Sequence, residues 1–201
     1  MQAQSIKRRL RATIAILPIL LAGTMLNAQS TSGSSEYLIK AGFIYNFANL
    51  VQWPSTSFAQ ADSPITIVIL GEDHFGTTLD HVLEGKKVNS RSFVIKRARS
   101  LSELQRALGP QKECQILYVS SSEMPHLSEA IQILKGAPVL TIGETPGFAR
   151  SGGIINLILE DNKVRFEVNV QAAKEADLNI SSRLLALARI VPSPGEGRRP
   201  E

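Results

Sequence analysis

The stretch "PITIVILGEDHFGTTLDHVLEGKK", residues 64–87, joins an apolar, β-branched run to a helical pattern through a turn that begins at Gly71. Its first part, residues 65–70, is apolar at nearly every position, which is typical of a strand covered on both faces. The part after the turn carries apolar residues at helical spacing, namely Leu79, Val82 and Leu83. A strand of this kind followed by a helix predicts a parallel sheet with helices on both faces.

The same alternation continues along the chain. Three further runs are strand-like: "RSFVIKRA" (91–98), "CQILYVS" (114–120) and "APVLTIG" (137–143). Helical patterns lie between them, and Ser100 with Glu103 has the spacing of a capping box at the start of one. Four strands separated by helices predict an α/β domain with a mainly parallel sheet and right-handed crossovers.

The segment "GGIINLILEDNKVRFEVN", residues 152–169, contains two strand-like runs with no room for a helix between them, so it predicts an antiparallel hairpin. A two-residue loop at Asp161-Asn162 pairs Glu160 with Lys163. That register places Ile155, Leu157, Leu159, Val164, Phe166 and Val168 on one face. The predicted sheet is therefore mixed, and its antiparallel end keeps one polar face.

The first residues of the chain predict export, and the last residues predict a disordered tail. Residues 1–28 contain Lys and Arg at the start, then an apolar run, then small residues around Ala28, which is the plan of a cleaved secretory signal peptide. An uncleaved anchor is the alternative, although the apolar run is shorter than the roughly 20 residues that span a bilayer. We expect a flexible lead at 29–35, a single domain at 36–191 and a disordered tail at 192–201.

The bulk composition is that of a globular domain rather than a nucleic-acid-binding protein. The chain has 201 residues, 43% hydrophobic and 20% charged. Its net charge of +4 comes from 22 basic and 18 acidic residues, and four of the basic residues lie in the predicted signal peptide. The exported chain is balanced, so no nucleic-acid partner is predicted. Cys114 is the sole cysteine and is expected to be a buried thiol.

The sequence contains no complete catalytic or metal-binding pattern. The turn "GEDHFGTT", residues 71–78, has the glycine spacing of a phosphate loop, but Thr77 stands where the lysine would be. The three histidines lack metal-ligand spacing, and no nucleophile elbow occurs. We therefore predict no enzyme activity, no cofactor and no metal.

Polar residues on the predicted hairpin and on the loop before it are candidates for a small-ligand site. The alternative is that Arg165 and Glu167 belong to solvated cross-strand networks. The candidate ligand residues are Glu144, Arg150, Asn156, Arg165, Glu167 and Asn169.

Five segments in order resemble the YfiR family of periplasmic proteins, which is the DUF4154 domain. They are "EYLIKAGFIYNFANLVQWP", "ITIVILGEDHFG", "CQILYVSSSE", "VLTIGETPGFARSGGIINL" and "VRFEVNVQAAKEADLNISSRLLALARIV", together spanning about residues 36–191. The resemblance implies a non-enzymatic periplasmic repressor of an inner-membrane diguanylate cyclase, which controls cyclic di-GMP synthesis. It also implies a homodimer and an outer-membrane lipoprotein as a second partner.

Two features qualify what the resemblance implies. Other members sit beside sensor kinases, so a small-ligand receptor that signals to a kinase or to another membrane protein is the alternative function. Members also often carry a second cysteine in the strand that here reads "ITIVILG", and this chain has none there. Control by an intramolecular disulfide is therefore not expected.

The helix predicted over "EYLIKAGFIYNFANLVQWP", residues 36–54, has an apolar arc of about 200°, roughly twice that of an ordinary surface helix. If one side packs on the sheet, the other can meet a partner or a second subunit, unless the C-terminal helix "SSRLLALARIV" covers it. Trp53, just before the proline that ends the helix, is a separate candidate. The predicted contact residues are Ile39, Phe43, Phe47, Leu50 and Trp53.

Overall fold

A mainly parallel sheet of seven strands lies at the centre of the part of the chain that the structure describes, residues 29–194. The structure is a computed structural model. The predicted signal peptide and residues 195–201 of the predicted tail lie outside the described residues. The strands, in chain order, are β1 (Val51–Gln52), β2 (Ile65–Leu70), β3 (Phe93–Ala98), β4 (Ile116–Val119), β5 (Leu140–Gly143), β6 (Ile155–Glu160), β7 (Lys163–Val168), β8 (Asn179–Ile180) and β9 (Arg189–Ile190).

The strand order in the large sheet is β3-β2-β4-β5-β6-β7-β9. All neighbours are parallel except β6 and β7, which form the hairpin. A second, antiparallel sheet consists of β1 and β8. The predicted fold class, a mixed and mainly parallel α/β sheet with an antiparallel hairpin, is confirmed.

Six α-helices flank the sheet within the described residues: α1 (Gln29–Leu50), α2 (Thr78–Leu83), α3 (Leu101–Leu108), α4 (Leu127–Leu134), α5 (Val170–Glu175) and α6 (Ser182–Leu185). Alternate side chains of β2 enter two separate cores, because successive residues of a strand point to opposite faces. Ile67 and Ile69 pack in the core that contains α1 and α2. Val68 and Leu70 pack in the core that contains α3 and α4. Helices on both faces were predicted and are confirmed.

The hairpin has the predicted register. Glu160 pairs with Lys163 and Asn156 with Glu167, and the loop residues Asp161 and Asn162 have φ values of 50° and 57°. This conformation matches the twist of a two-residue hairpin turn.

The polar face of the hairpin differs from the expectation. At its base Asn156, Glu167 and Asn169 are buried, whereas Arg165 and Lys163 near the loop are exposed. The backbone N–H of Asn169 donates to the carbonyl of Ile154 at 2.8 Å. This face is therefore solvated only towards its tip.

The bounds of α1 also differ from the prediction. The helix begins at Gln29, so the expected flexible lead 29–35 has a helical backbone. It ends at Leu50 rather than at the Trp53-Pro54 pair, because Val51 and Gln52 pair with β8. The short strand β9 beside β7 was not predicted either.

Phe148 packs the loop between β5 and β6 against the sheet. Its ring is completely buried and lies between Gly143 and Gly153, where an added Cβ would overlap ring atoms. The Phe148 carbonyl accepts a hydrogen bond of 3.0 Å from the Gly153 N–H. The two glycines are needed because only a missing side chain leaves room for this ring.

Candidate functional site

An apolar surface runs from the side of α1 onto the hairpin. Ile39 on α1 is 48% exposed, and Leu159 at the end of β6 is 53% exposed. Phe43 is partly buried, and its ring lies 5.6 Å from that of Phe166 on β7. Val164 pairs with Leu159 and shares the face of Phe166. We call Ile39, Phe43, Leu159 and Val164 the apolar surface.

Three of the five predicted contact residues lie elsewhere. Phe47 is completely buried, and its ring centre is 5.2 Å from that of Phe166, so its prediction as a contact residue is wrong. Leu50 is partly buried, and its carbonyl accepts the N–H of Ser181 at 2.9 Å, so the C-terminal segment covers that end of α1. About 16 Å of helix separates Ile39 from Leu50.

Trp53 lies beyond the end of α1 and is a structural anchor. Its Nε1 donates to the carbonyl of Gln115 at 3.2 Å. The Gln115 side chain in turn accepts the N–H of Thr66 at 2.8 Å and donates to the carbonyl of Ser57 at 2.8 Å. Trp53 therefore does not belong to the apolar surface with Ile39.

The six predicted ligand residues do not form one site. Asn156 and Glu167 lie on the sheet face opposite α1, because the residues next to them, Ile155 and Phe166, pack in the α1 core. Glu144, in contrast, is hydrogen bonded to side chains of α1. Arg150 is exposed.

The group at the base of the hairpin is mainly structural. Asn169 caps α5 by accepting the N–H of Ala172 at 2.9 Å and donates to the carbonyl of Ala149 at 2.8 Å. Asn156 donates to Glu167 at 3.3 Å, but its own Oδ1 is buried without a hydrogen-bond partner. Towards the tip, Arg165 lies 3.7 Å from Glu160.

A second polar group lies around Glu144, directly after β5. Lys40 and Tyr37 of α1 both donate to Glu144 Oε2, at 2.7 and 2.9 Å. The Lys40 ammonium also lies 2.6 Å from Glu36 and 4.5 Å from the centre of the Tyr37 ring. The Tyr118 hydroxyl is buried against the Glu144 carboxylate. We call Glu36, Tyr37, Lys40, Tyr118 and Glu144 the Glu144 cluster.

Burial and charge act in opposite directions on this cluster. Burial raises the pKa of Glu144, but the hydrogen bonds from Lys40, Tyr118 and Tyr37 and the charge of Lys40 outweigh it, so the pKa lies below its ordinary value. Burial and the nearby Glu144 carboxylate raise the pKa of Tyr37 and of Tyr118 well above the ordinary value. Glu144 is therefore ionised at neutral pH, and both tyrosines keep their protons.

The sequence did not predict the Glu144 cluster. Lys40 is the single basic residue of the predicted helix at 36–54, and Glu36, one turn before it, is the partner that the i,i+4 spacing indicates. That local pair is present, but no sequence pattern points to Glu144 as a second partner.

In the turn that resembles a phosphate loop, a side-chain carboxylate accepts two of the backbone N–H groups. Asp73 Oδ1 accepts the N–H groups of Phe75 and Gly76 at 2.8 and 3.2 Å, and Arg97 lies 2.7 Å from the same carboxylate. This carboxylate occupies the position that a phosphate would need.

Cys114 is buried, as expected. Its Sγ donates to the carbonyl of Ile116 at 3.1 Å, and burial raises its pKa to about 12. A thiol in this state is unreactive at neutral pH.

The fold and these sites define the class of protein as an α/β domain with an apolar surface. The chain belongs to the YfiR/HmsC-like family, DUF4154, which matches residues 37–189. A search of curated proteins returned no significant match. Among the described residues, no helix has both the length and the apolar content to cross a membrane.

Two solved structures are similar in fold. A conserved domain protein from Vibrio cholerae matches with a TM-score of 0.53 at 11% identity, over 78% of this chain and 60% of that one. The ABC domain from Streptococcus pneumonia, solved in complex with L-Trp, matches with a TM-score of 0.50 at 10% identity, over 63% of this chain and 56% of that one. The chain thus covers less than two thirds of either protein, and identities this low show the fold alone.

Proposed function

We propose that the protein is a periplasmic, non-enzymatic regulator that binds and represses a membrane-bound signalling protein. The primary candidate partner is a diguanylate cyclase, which would place the protein in cyclic di-GMP control, and a sensor kinase is the alternative. The observation that carries the proposal is the family match over residues 37–189. An outer-membrane lipoprotein that sequesters the regulator is a further proposed partner.

The apolar surface supports contact with another protein. Ile39 and Leu159 are each about half exposed, and they come from two elements that Phe43 and Phe166 join by ring contact. Exposed apolar groups that cluster in this way mark interaction sites more often than single exposed residues do. A membrane-bound partner or a second copy of the chain would bury them.

We expect Ile39→Asp and Leu159→Asp to weaken partner binding at least about tenfold, because an unpaired carboxylate buried in an interface costs more than the roughly 1.4 kcal/mol that a factor of ten requires. Both side chains are exposed, so the fold should be retained. The measurement is recovery of an inner-membrane signalling protein from detergent-solubilised envelope by the purified protein. Val94→Asp is the matched control, because Val94 is exposed on β3 at the opposite edge of the sheet.

Three outcomes separate the alternatives. Loss of recovery with the two variants but not with Val94→Asp supports the regulator. Equal recovery by folded Ile39→Asp and by the wild type removes the apolar surface as the contact. If the wild type recovers no signalling protein and is a dimer that Ile39→Asp dissociates, the surface serves self-association.

A small-ligand receptor is the second candidate function, because Asn156 Oδ1 is buried without a partner beside Glu167. Arg165 lies on the same sheet face, further towards the tip. A metabolite that occupies this face should raise the thermal midpoint by a few degrees when present well above its Kd. Arg165→Ala should remove that shift without unfolding the protein, because Arg165 is exposed. No shift across a broad metabolite screen would argue against the receptor.

A further inference from the structure

The Glu144 cluster lies in the crevice where open α/β sheets bind ligands. Strands β2 and β4 are neighbours, but the chain leaves β2 towards β3 on one side and leaves β4 towards β5 on the other. Such a reversal opens a crevice at the carboxyl ends of the strands. Phe75 follows β2, Tyr118 belongs to β4 and Glu144 follows β5, so all three lie at this end of the sheet.

Side chains of α1 fill this crevice in the way that a ligand would. The Lys40 ammonium lies 2.7 Å from Glu144 and 2.6 Å from Glu36, with the Tyr37 ring 4.5 Å away. Lys40 is only 5% exposed. A carboxylate, an aromatic face and exclusion of water are the features that recognise an organic ammonium group.

The walls of the crevice are aromatic. The Phe75 ring meets those of Tyr118 and Tyr37 edge-on, at 4.8 and 5.1 Å between centres. The Tyr118 hydroxyl is buried against the Glu144 carboxylate. Because the Glu144 side chain is only 5% exposed, removal of Lys40 would leave its charge without a cation in a site that excludes water.

We propose that this crevice is a binding site for a primary ammonium group, that Lys40 is the ligand supplied by the chain itself, and that small primary amines occupy the site when the Lys40 side chain is removed. In the wild type, Lys40 is tethered on α1 and has a high effective concentration at Glu144. Free amines are therefore excluded unless Lys40 is displaced. The inference does not depend on the proposed function, because protein stability rather than partner binding reports it.

The test is chemical rescue of Lys40→Ala by n-propylammonium chloride, which is the fragment that this substitution deletes. At about 100 mM, the amine should raise the thermal midpoint of the variant by about 5 °C relative to the same concentration of sodium chloride. n-Propanol, which has the same shape without the charge, should give no such shift. The wild type should not respond, because its site is filled.

The Lys40→Ala/Glu144→Gln variant is the matched control. It lacks the buried carboxylate of the site and keeps only Glu36, whose side chain is 25% exposed, so the amine should stabilise it much less than it stabilises Lys40→Ala. Equal stabilisation of this variant, or no stabilisation of a folded Lys40→Ala, would overturn the proposal. If Lys40→Ala is unfolded, the measurement becomes recovery of its circular dichroism signal during refolding. Recovery with the amine but not with sodium chloride supports the site, and no recovery overturns it.

Discussion

Replacing Gly153 with alanine should destabilise the protein by about 3 kcal/mol, because the new Cβ would overlap the ring of Phe148. The ring cannot move aside, since it is completely buried among α3, α4 and strand side chains. The backbone at Gly153 does not have a positive φ, so the loss would be steric rather than conformational. Urea unfolding followed by circular dichroism measures the change.

A double-mutant cycle identifies the cause. Phe148→Ala alone should cost about 3–5 kcal/mol through the cavity that it leaves. If the ring is what excludes a side chain at Gly153, the double variant should be less destabilised than the sum of the two single changes. Strict additivity would show that the two positions do not interact.

Gly42→Ala is the matched control for the glycine substitution. Gly42 lies within α1, and nothing is within 4 Å of the position that its Cβ would take. Alanine there should be neutral or stabilising by up to about 1 kcal/mol, because it favours the helix. A large loss at Gly42 would mean that α1 is more closely packed than the structure indicates.

Replacing Lys40 with methionine should destabilise the protein by about 3–5 kcal/mol, the cost of leaving a buried carboxylate without its partner. Methionine retains most of the volume of the side chain, so little of this loss would come from packing. Glu144 is the carboxylate concerned, with its side chain only 5% exposed. The Lys40→Met/Glu144→Gln variant should recover much of the stability, because it removes both charges.

The pH dependence of these variants provides an independent check. In the wild type the pKa of Glu144 is lowered in the folded state, so its stabilising contribution is present above the ordinary pKa and is lost as the pH falls through the folded-state pKa. In Lys40→Met, burial should instead raise that pKa. The folded state then favours the protonated acid, and the free energy of unfolding should increase as the pH falls from about 7 towards about 5.

The double variant isolates this titration from that of other acids. Its unfolding free energy should not show the increase seen with Lys40→Met over the same pH range, because Glu144 is replaced. If both variants change in parallel with pH, Glu144 is not the group responsible.

Local sequence patterns were sufficient to predict the sheet and the hairpin. Alternation of apolar and polar side chains has a period of two, so the loop at Asp161-Asn162 and the run of apolar residues select one register. The structure has that register. The capping pair also formed as predicted, with Ser100 Oγ accepting the N–H of Glu103 at 3.3 Å. Both features depend on residues close together in the sequence.

The surface of α1 could not be resolved in the same way. An apolar arc of about 200° indicates that more than one neighbouring element covers the helix, but it does not show which side of the helix faces the sheet. Phe47 and Phe43 are similar in the pattern, yet only Phe47 is completely buried. The end of α1 was likewise decided by the pairing of residues 51–52 with residues 179–180.

The sequence by itself determined the fold class, the hairpin register, the buried state of Cys114 and the family. Only the tertiary structure decided that Asn156 and Glu167 are buried and that Lys40 meets Glu144, 104 residues away. Patterns of hydrophobicity predict which side chains are buried, because burial follows from local periodicity. They do not predict which charged group a buried side chain contacts, because that contact depends on how elements distant in the sequence pack.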